Sequence, residues 1–197
     1  RFHFVEQRAV LDTLKGGDRR SIGRSNQVVK IVRRRPALFP ALIDGMSHAD
    51  ELVGMRAADA IEKLTVTNPE WLRPFKRRLI ELAACAEQQE LRWHLAQMLP
   101  RLVLTGRERA TVVAILRGYL KDRSRIVKTF AMQGLADLAM QDPRLRNSIR
   151  PLISSLTKTG SAAMKSRGRK LMLQLADSTS PRHAQVSRWR PSKDIAP

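Results

Sequence analysis

Trp93 and His94, with Gln97 one helical turn further on, are the residues of this chain whose types and spacing come nearest to doing chemistry. An indole face can stack on a flat ligand, an imidazole can exchange a proton near neutral pH, and an amide can hydrogen-bond both ways. The set stops short of catalysis. The residue one turn on from Trp93 is an amide rather than a carboxylate, so nothing there stabilises a developing cation. His94 lies about 60° from the apolar stripe of its helix, where packing at the core boundary accounts for it. The other histidines, His3, His48 and His183, are scattered, and the single cysteine, Cys85, cannot help them build a zinc site. The chain has no Gly-x-x-x-x-Gly-Lys-Ser/Thr, no Gly-x-Ser-x-Gly and no His-Glu-x-x-His. The expectation is no catalytic residue, no metal and no cofactor.

Charge carries more information. The 197 residues hold 37 Lys+Arg against 18 Asp+Glu, a net charge of +19 that favours polyanions, acidic proteins or membrane headgroups as partners. No apolar run approaches the ~18 residues that cross a bilayer. A lone cysteine rules out an internal disulfide and fits a reducing, cytoplasmic setting; in its Ala-rich stretch Cys85 reads as a small core residue. The chain opens on Arg1-Phe2-His3-Phe4 with no signal-peptide pattern, which reads as a trimmed or partial N-terminus.

The elements that must position these residues are helices. Four stripes share the spacing i, i+4, i+7, i+11: Val53, Ala57, Ala60, Leu64; Leu91, Leu95, Met98, Leu102; Val127, Ala131, Gly134, Leu138; and Met164, Gly168, Leu171, Leu175. Each is one face of an α-helix. Their last members fall 38, 36 and 37 residues apart, the scale of a helix–turn–helix repeat. A second amphipathic helix precedes each one, near 36–45, 70–86, 107–121 and 143–158. Asn68-Pro69 and Asp142-Pro143 pair a cap residue with Pro at the first helical position; Thr105 and Asp122 or Ser124 can cap other starts, and Gly45 can stop the first helix. The chain is therefore expected to be all-α: an N-terminal helical cap over 1–35, four repeats over 36–177 (about 36–66, 68–104, 105–140 and 142–177), and a basic disordered tail over 178–197.

On these residues the chain resembles the HEAT repeats, a family of armadillo-like helical proteins whose second helix often begins with a Val-x-x-Arg-x-x-Ala-like stretch. Val53-Gly54-Met55-Arg56-Ala57-Ala58-Asp59-Ala60 carries the resemblance best, and the other three copies match more loosely. Asp18-Arg19-Arg20-Ser21-Ile22-Gly23, Arg92-Trp93-His94-Leu95-Ala96-Gln97 and Ile126-Val127-Lys128-Thr129 are similar to stretches of small bacterial HEAT-repeat proteins of unestablished function. The resemblance implies a right-handed α-α superhelix of four hairpins plus a cap, with second helices lining a concave side. It also implies that Arg56 and Asp59 act as ladder residues tying neighbouring repeats.

Residues opposite each stripe should then face the groove. They give one row of Asp59, Gln97, Gln133 and Lys170, and a parallel row of Met55, Trp93, Thr129 and Ser166. A basic flank of Arg92, Lys128 and Lys165 runs alongside, with Arg169 beside Lys170. First helices add Arg73, Lys76, Arg77 and Arg78, then Arg107, Arg109, Arg117 and Lys121. These surfaces suit a binding scaffold for nucleic acid or a ribonucleoprotein, held through phosphates. An alternative is a protein–protein scaffold for an acidic or helical partner. A third resemblance, to HEAT-like alkylpurine DNA glycosylases, implies a concave Trp and Asp; here Trp93 has Gln97 beside it, and Asp59 lies one repeat away.

Overall fold

The computed structural model describes residues 2–18 and 21–177, and the basic segment 178–197 lies outside the described residues. All four apolar stripes are buried, and along that burial the helices line up. Among the described residues the order is α1 (Phe2–Thr13), α2 (Ser25–Arg34), α3 (Phe39–Gly45), α4 (Glu51–Thr65), α5 (Lys76–Cys85), α6 (Gln89–Met98), α7 (Gly106–Tyr119), α8 (Arg125–Gln141), α9 (Arg146–Thr159) and α10 (Ala162–Asp177). No described residue is in a strand, so the chain is an all-α helical-repeat fold. No described helix is long and apolar enough to cross a membrane.

Even-numbered helices form an inner row in which α2 packs on α4, α4 on α6, α6 on α8 and α8 on α10. The odd-numbered helices lie outside it, with α3 against α4, α5 against α6, α7 against α8 and α9 against α10. The N-terminal segment continues this stack, with α1 beside α3 and α2 beside α4. A helix in the middle of the row is therefore covered on two flanks and behind. In α4, twelve of fifteen residues are buried, far more than a one-stripe amphipathic helix would enclose.

Local chemistry sets the starts. Asp50 accepts the Leu52 N–H at 2.9 Å to cap α4, Thr105 and Glu108 form a reciprocal capping box on α7, and Ser124 caps α8. Pro36, Pro69 and Pro143 each open a 3-10 turn that leads into an outer helix. Three local expectations change. Asn68 makes no cap bond, and Pro74, which has no N–H to donate, holds the chain in a 3-10 turn over Pro69–Phe75, so α5 starts at Lys76 rather than near 70. Gly45 ends α3 where the sequence expects, but as its last helical residue rather than as a left-handed residue past the end, since Met46 keeps helical angles. Cys85 is exposed, because it sits at the last residue of α5 with its thiol turned to the Leu82 carbonyl.

The row demands close approach at one point. A Cβ on Gly134 of α8 would sit 2.7 Å from the Ala96 carbonyl oxygen on α6, a backbone atom that cannot swing away. Gly134→Ala is expected to lower stability by about 1–3 kcal/mol through overpacking. Gly118→Ala, where an added Cβ meets nothing within 4 Å, is expected to be neutral or stabilising. Urea titration of the two variants checks the pair; equal effects would mean that α6 and α8 are not in backbone contact.

Candidate functional site

Arg56 is fully buried, and its guanidinium donates to four backbone carbonyls. Nε reaches Ser21 O at 3.3 Å, Nη1 reaches Leu14 O at 2.7 Å and also Gly16 O, and Nη2 reaches Asp18 O at 3.0 Å. The α1–α2 connection thus wraps around one cation, whose planar fork matches converging oxygens. Gly23, at φ +53°, presses on it: a Cβ there would meet Cζ at 2.7 Å. Asp59, one turn on in α4, accepts the Ser25 hydroxyl of α2 and the Lys63 ammonium at 2.6 Å, while Lys63 also reaches Asn26 Oδ1 at 2.9 Å. Both residues lie between helices, and the Asp59 carboxylate is held by partners from α2 and its own helix.

The rows expected to face a groove are buried or half-buried across the first three repeats. Met55, Ala58, Asp59, Ala96, Thr129, Met132, Gln133 and Ala136 are each at most 8% exposed. The cause is the double flanking of the inner row: a residue opposite the stripe of α4, α6 or α8 meets a neighbouring helix rather than water. The Thr129 hydroxyl donates to Arg125 O, 2.8 Å away within its own helix. Gln133 donates to Asp137 Oδ1 at 2.8 Å and accepts from Arg167 of α10 at 2.7 Å, joining α8 to α10. Trp93 is half-buried against the core, 5.6 Å from the His94 ring, and the half-buried Gln97 donates back to the Trp93 carbonyl at 3.2 Å.

Many of the charges inside the stack tie one repeat to the next. Arg92 donates to Ala86 O and Asp122, both at 2.6 Å, so this member of the expected flank joins two turns and lies over Tyr119. Arg101 binds Glu62 and Thr65, Arg109 binds Asp142 at 2.9 Å, Lys76 binds Glu108 at 2.8 Å, and Arg78 binds Asp44. His94 and Asp137 titrate well away from their ordinary values, in opposite directions. Burial pulls the His94 imidazole down to about 4, with Asp59 opposing and Lys63 and Arg101 reinforcing, and its Nδ1 has no hydrogen-bond partner. Desolvation pushes the Asp137 carboxyl up to about 6, against the Gln133 hydrogen bond and the charges of Arg101 and Arg167. Among the described residues no group of three His, Cys, Asp or Glu side chains could hold a metal ion.

The last helix differs. Among the described residues no helix packs beyond α10, and Lys165, Ser166, Arg169, Lys170 and Leu173 are exposed. Arg150 and Lys158 of α9 are exposed as well, and Lys128 is half-buried at the α8 start. Lys165, Arg169, Lys170, Arg150 and Lys158 form no ion pair among the described residues. From Pro143 through Ala176 the chain carries eight Lys or Arg and no Asp or Glu. Arg150 and Lys158 escape a search for groove-facing residues, yet that acid-free stretch could have found them.

No protein-family model matches this chain, and no curated protein does. Solved structures similar in fold include the crystal structure of an engineered protein, a Northeast Structural Genomics Consortium target, with a TM-score of 0.59 at 12% identity, covering 87% of this chain and 80% of that one.

Two predictions follow from the buried charges. Arg56→Lys keeps the charge but cannot fork to four carbonyls, so a loss of about 3 kcal/mol and faster amide exchange over residues 14–24 are expected. Wild-type exchange in that segment would show that the cage does not hold it. Between pH 6.5 and 4, acidification costs stability at His94, because the unfolded imidazole takes a proton that the folded one refuses. From about 6 down to 4 it adds stability at Asp137, where the folded carboxyl takes the proton first. Asp137→Asn should therefore be more stable than wild type at pH 7, with the difference shrinking toward pH 4. Urea midpoints at the two pH values measure it, and a difference that does not vary with pH would exclude a desolvated Asp137.

Proposed function

We propose that this chain is a non-catalytic, HEAT-like helical-repeat binding protein that engages nucleic acid, alone or within a ribonucleoprotein, through its C-terminal cationic face. The observation that carries this reading is the acid-free end of the stack. Arg150, Lys158, Lys165, Arg169 and Lys170 are exposed and lack ion pairs among the described residues, whereas cations inside the stack are tied to carboxylates or carbonyls. An unneutralised array of this kind releases counterions when phosphates replace them, and lysine and arginine contacts of that type position a strand without reading its sequence. A cytoplasmic setting accords with an exposed single thiol at Cys85.

The test is fluorescence anisotropy with labelled 20-nucleotide RNA, single-stranded DNA and duplex DNA, at 50 and 200 mM salt. Binding should fall steeply over that range. Lys165→Glu, Arg169→Glu and Lys170→Glu together should reduce the log–log salt slope by roughly 2–3, at about one unit per lost phosphate contact, with helical circular dichroism unchanged. No binding to any of the three at 50 mM salt would end the reading.

A further inference from the structure

The turns that join each outer helix to its inner partner lie along one edge of the stack, and two clefts open between successive turns. The first, about 560 Å³, lies between the α5–α6 and α7–α8 turns, where Glu51, Glu87 and Glu90 stand with Arg92, Lys121 and Arg123. With Asp122 it holds four carboxylates against three cations, a net acidic lining. The second, about 520 Å³, lies between the α7–α8 and α9–α10 turns and has a different lining. Leu120, Leu156 and Met164 form its apolar part, Arg125 and Lys128 supply two cations, and no carboxylate lines it. Neither cation forms an ion pair among the described residues. Asp122, whose carboxylate feels Lys128, is already bound by Arg92. Ser161 accepts the Met164 N–H at 3.4 Å, which leaves its hydroxyl proton able to donate into the cleft.

Each part of that lining excludes a class of occupant. A bare phosphate would use the cations and leave the half-buried Leu120 and Leu156 uncovered. A nucleotide would need a flat partner for its base, and this cleft contains no aromatic side chain. An apolar ligand without charge would leave two desolvated cations without an anion. What fits all three is an apolar side chain flanked by carboxylates, and the volume falls in the range that holds a small ligand or a few side chains. We propose that this cleft docks a short acidic–hydrophobic peptide segment of a partner protein. A leucine or phenylalanine of that segment seats on Leu120, Leu156 and Met164, and neighbouring Asp or Glu carboxylates pair with Arg125 and Lys128. Its lining includes none of Arg150, Lys158, Lys165, Arg169 or Lys170, the cations of the proposed nucleic-acid face.

The test uses the full chain and a dye-labelled dodecapeptide that alternates Asp or Glu with Leu or Phe, followed by fluorescence polarisation at 150 mM salt. A companion peptide with serine in place of every Leu and Phe keeps the charge alone. The apolar peptide should bind and the serine peptide should not. Arg125→Glu with Lys128→Glu should weaken binding at least about tenfold, the loss of roughly two charge-assisted contacts. Lys165→Glu, Arg169→Glu and Lys170→Glu together should leave peptide binding within about twofold while lowering the nucleic-acid salt slope by roughly 2–3, as described above. Amide shifts in the wild-type protein on adding peptide should gather at residues 120–128 and 156–164, a readout that needs no variant to fold. Equal binding of the serine peptide, shifts gathered elsewhere, or displacement of the peptide by a single-stranded oligonucleotide would each overturn the proposal, the last by assigning the cleft to the nucleic-acid track.

Discussion

A single helical hairpin of this size cannot bury its own apolar stripe, and that constraint organises everything else in the molecule. Each inner helix needs an outer helix behind it and a copy of itself on either flank before its Val, Ala and Leu positions leave water. The hydrophobic gain per fully buried leucine is about 2 kcal/mol, so the stripes of four helices repay the ordering of the chain only when the stack is complete. Close approach follows. Gly134 lies under the Ala96 carbonyl because anything larger would hold α8 off α6 and open the seam on which both depend.

Burial on that scale traps charges, and the stack neutralises them at its own period. Ser25 with Asp59, Glu62 with Arg101, Arg92 with Asp122, Lys76 with Glu108 and Gln133 with Arg167 each join residues 30–39 apart in the chain, about one repeat. These contacts add specificity of register more than net stability, since desolvation offsets much of their attraction. Arg56 is the exception in kind. Its positive charge is met by peptide dipoles alone, and in return it shapes the loop between α1 and α2, which has little apolar surface of its own. His94 and Asp137 show the cost that remains, since burial displaces their titration in opposite directions.

A stack that satisfies itself internally presents its free chemistry on the last described helix. At α10 the positions that are buried in α4, α6 and α8 emerge into solvent, and they are Ser166, Arg169, Lys170 and Leu173. Because the sequence has no acid between Asp142 and Asp177, the emerging surface keeps its full positive charge. The same imbalance separates the two edge clefts, which share a position in successive repeats and differ in whether carboxylates are present. Charge thus varies along a scaffold whose packing hardly does.

Helix identity, period and stripe were determined by the sequence alone, because an i, i+4, i+7, i+11 pattern and a Thr105–Glu108 capping box are properties of a dozen neighbouring residues. Net charge was equally legible, and so was the placing of Arg56 and Asp59 on the stripe-bearing helix. Which sides of that helix meet water was not. Gln133 and Thr129 read as groove residues when α8 is considered by itself, and are buried because α6 and α10 close over them from positions about 36 residues away in either direction. Arg92 reads as a free flank until Asp122 arrives from the next turn, and Cys85 reads as core until α5 ends on it. Periodicity records how a helix would divide if one face were dry; only the tertiary structure decides how many faces are.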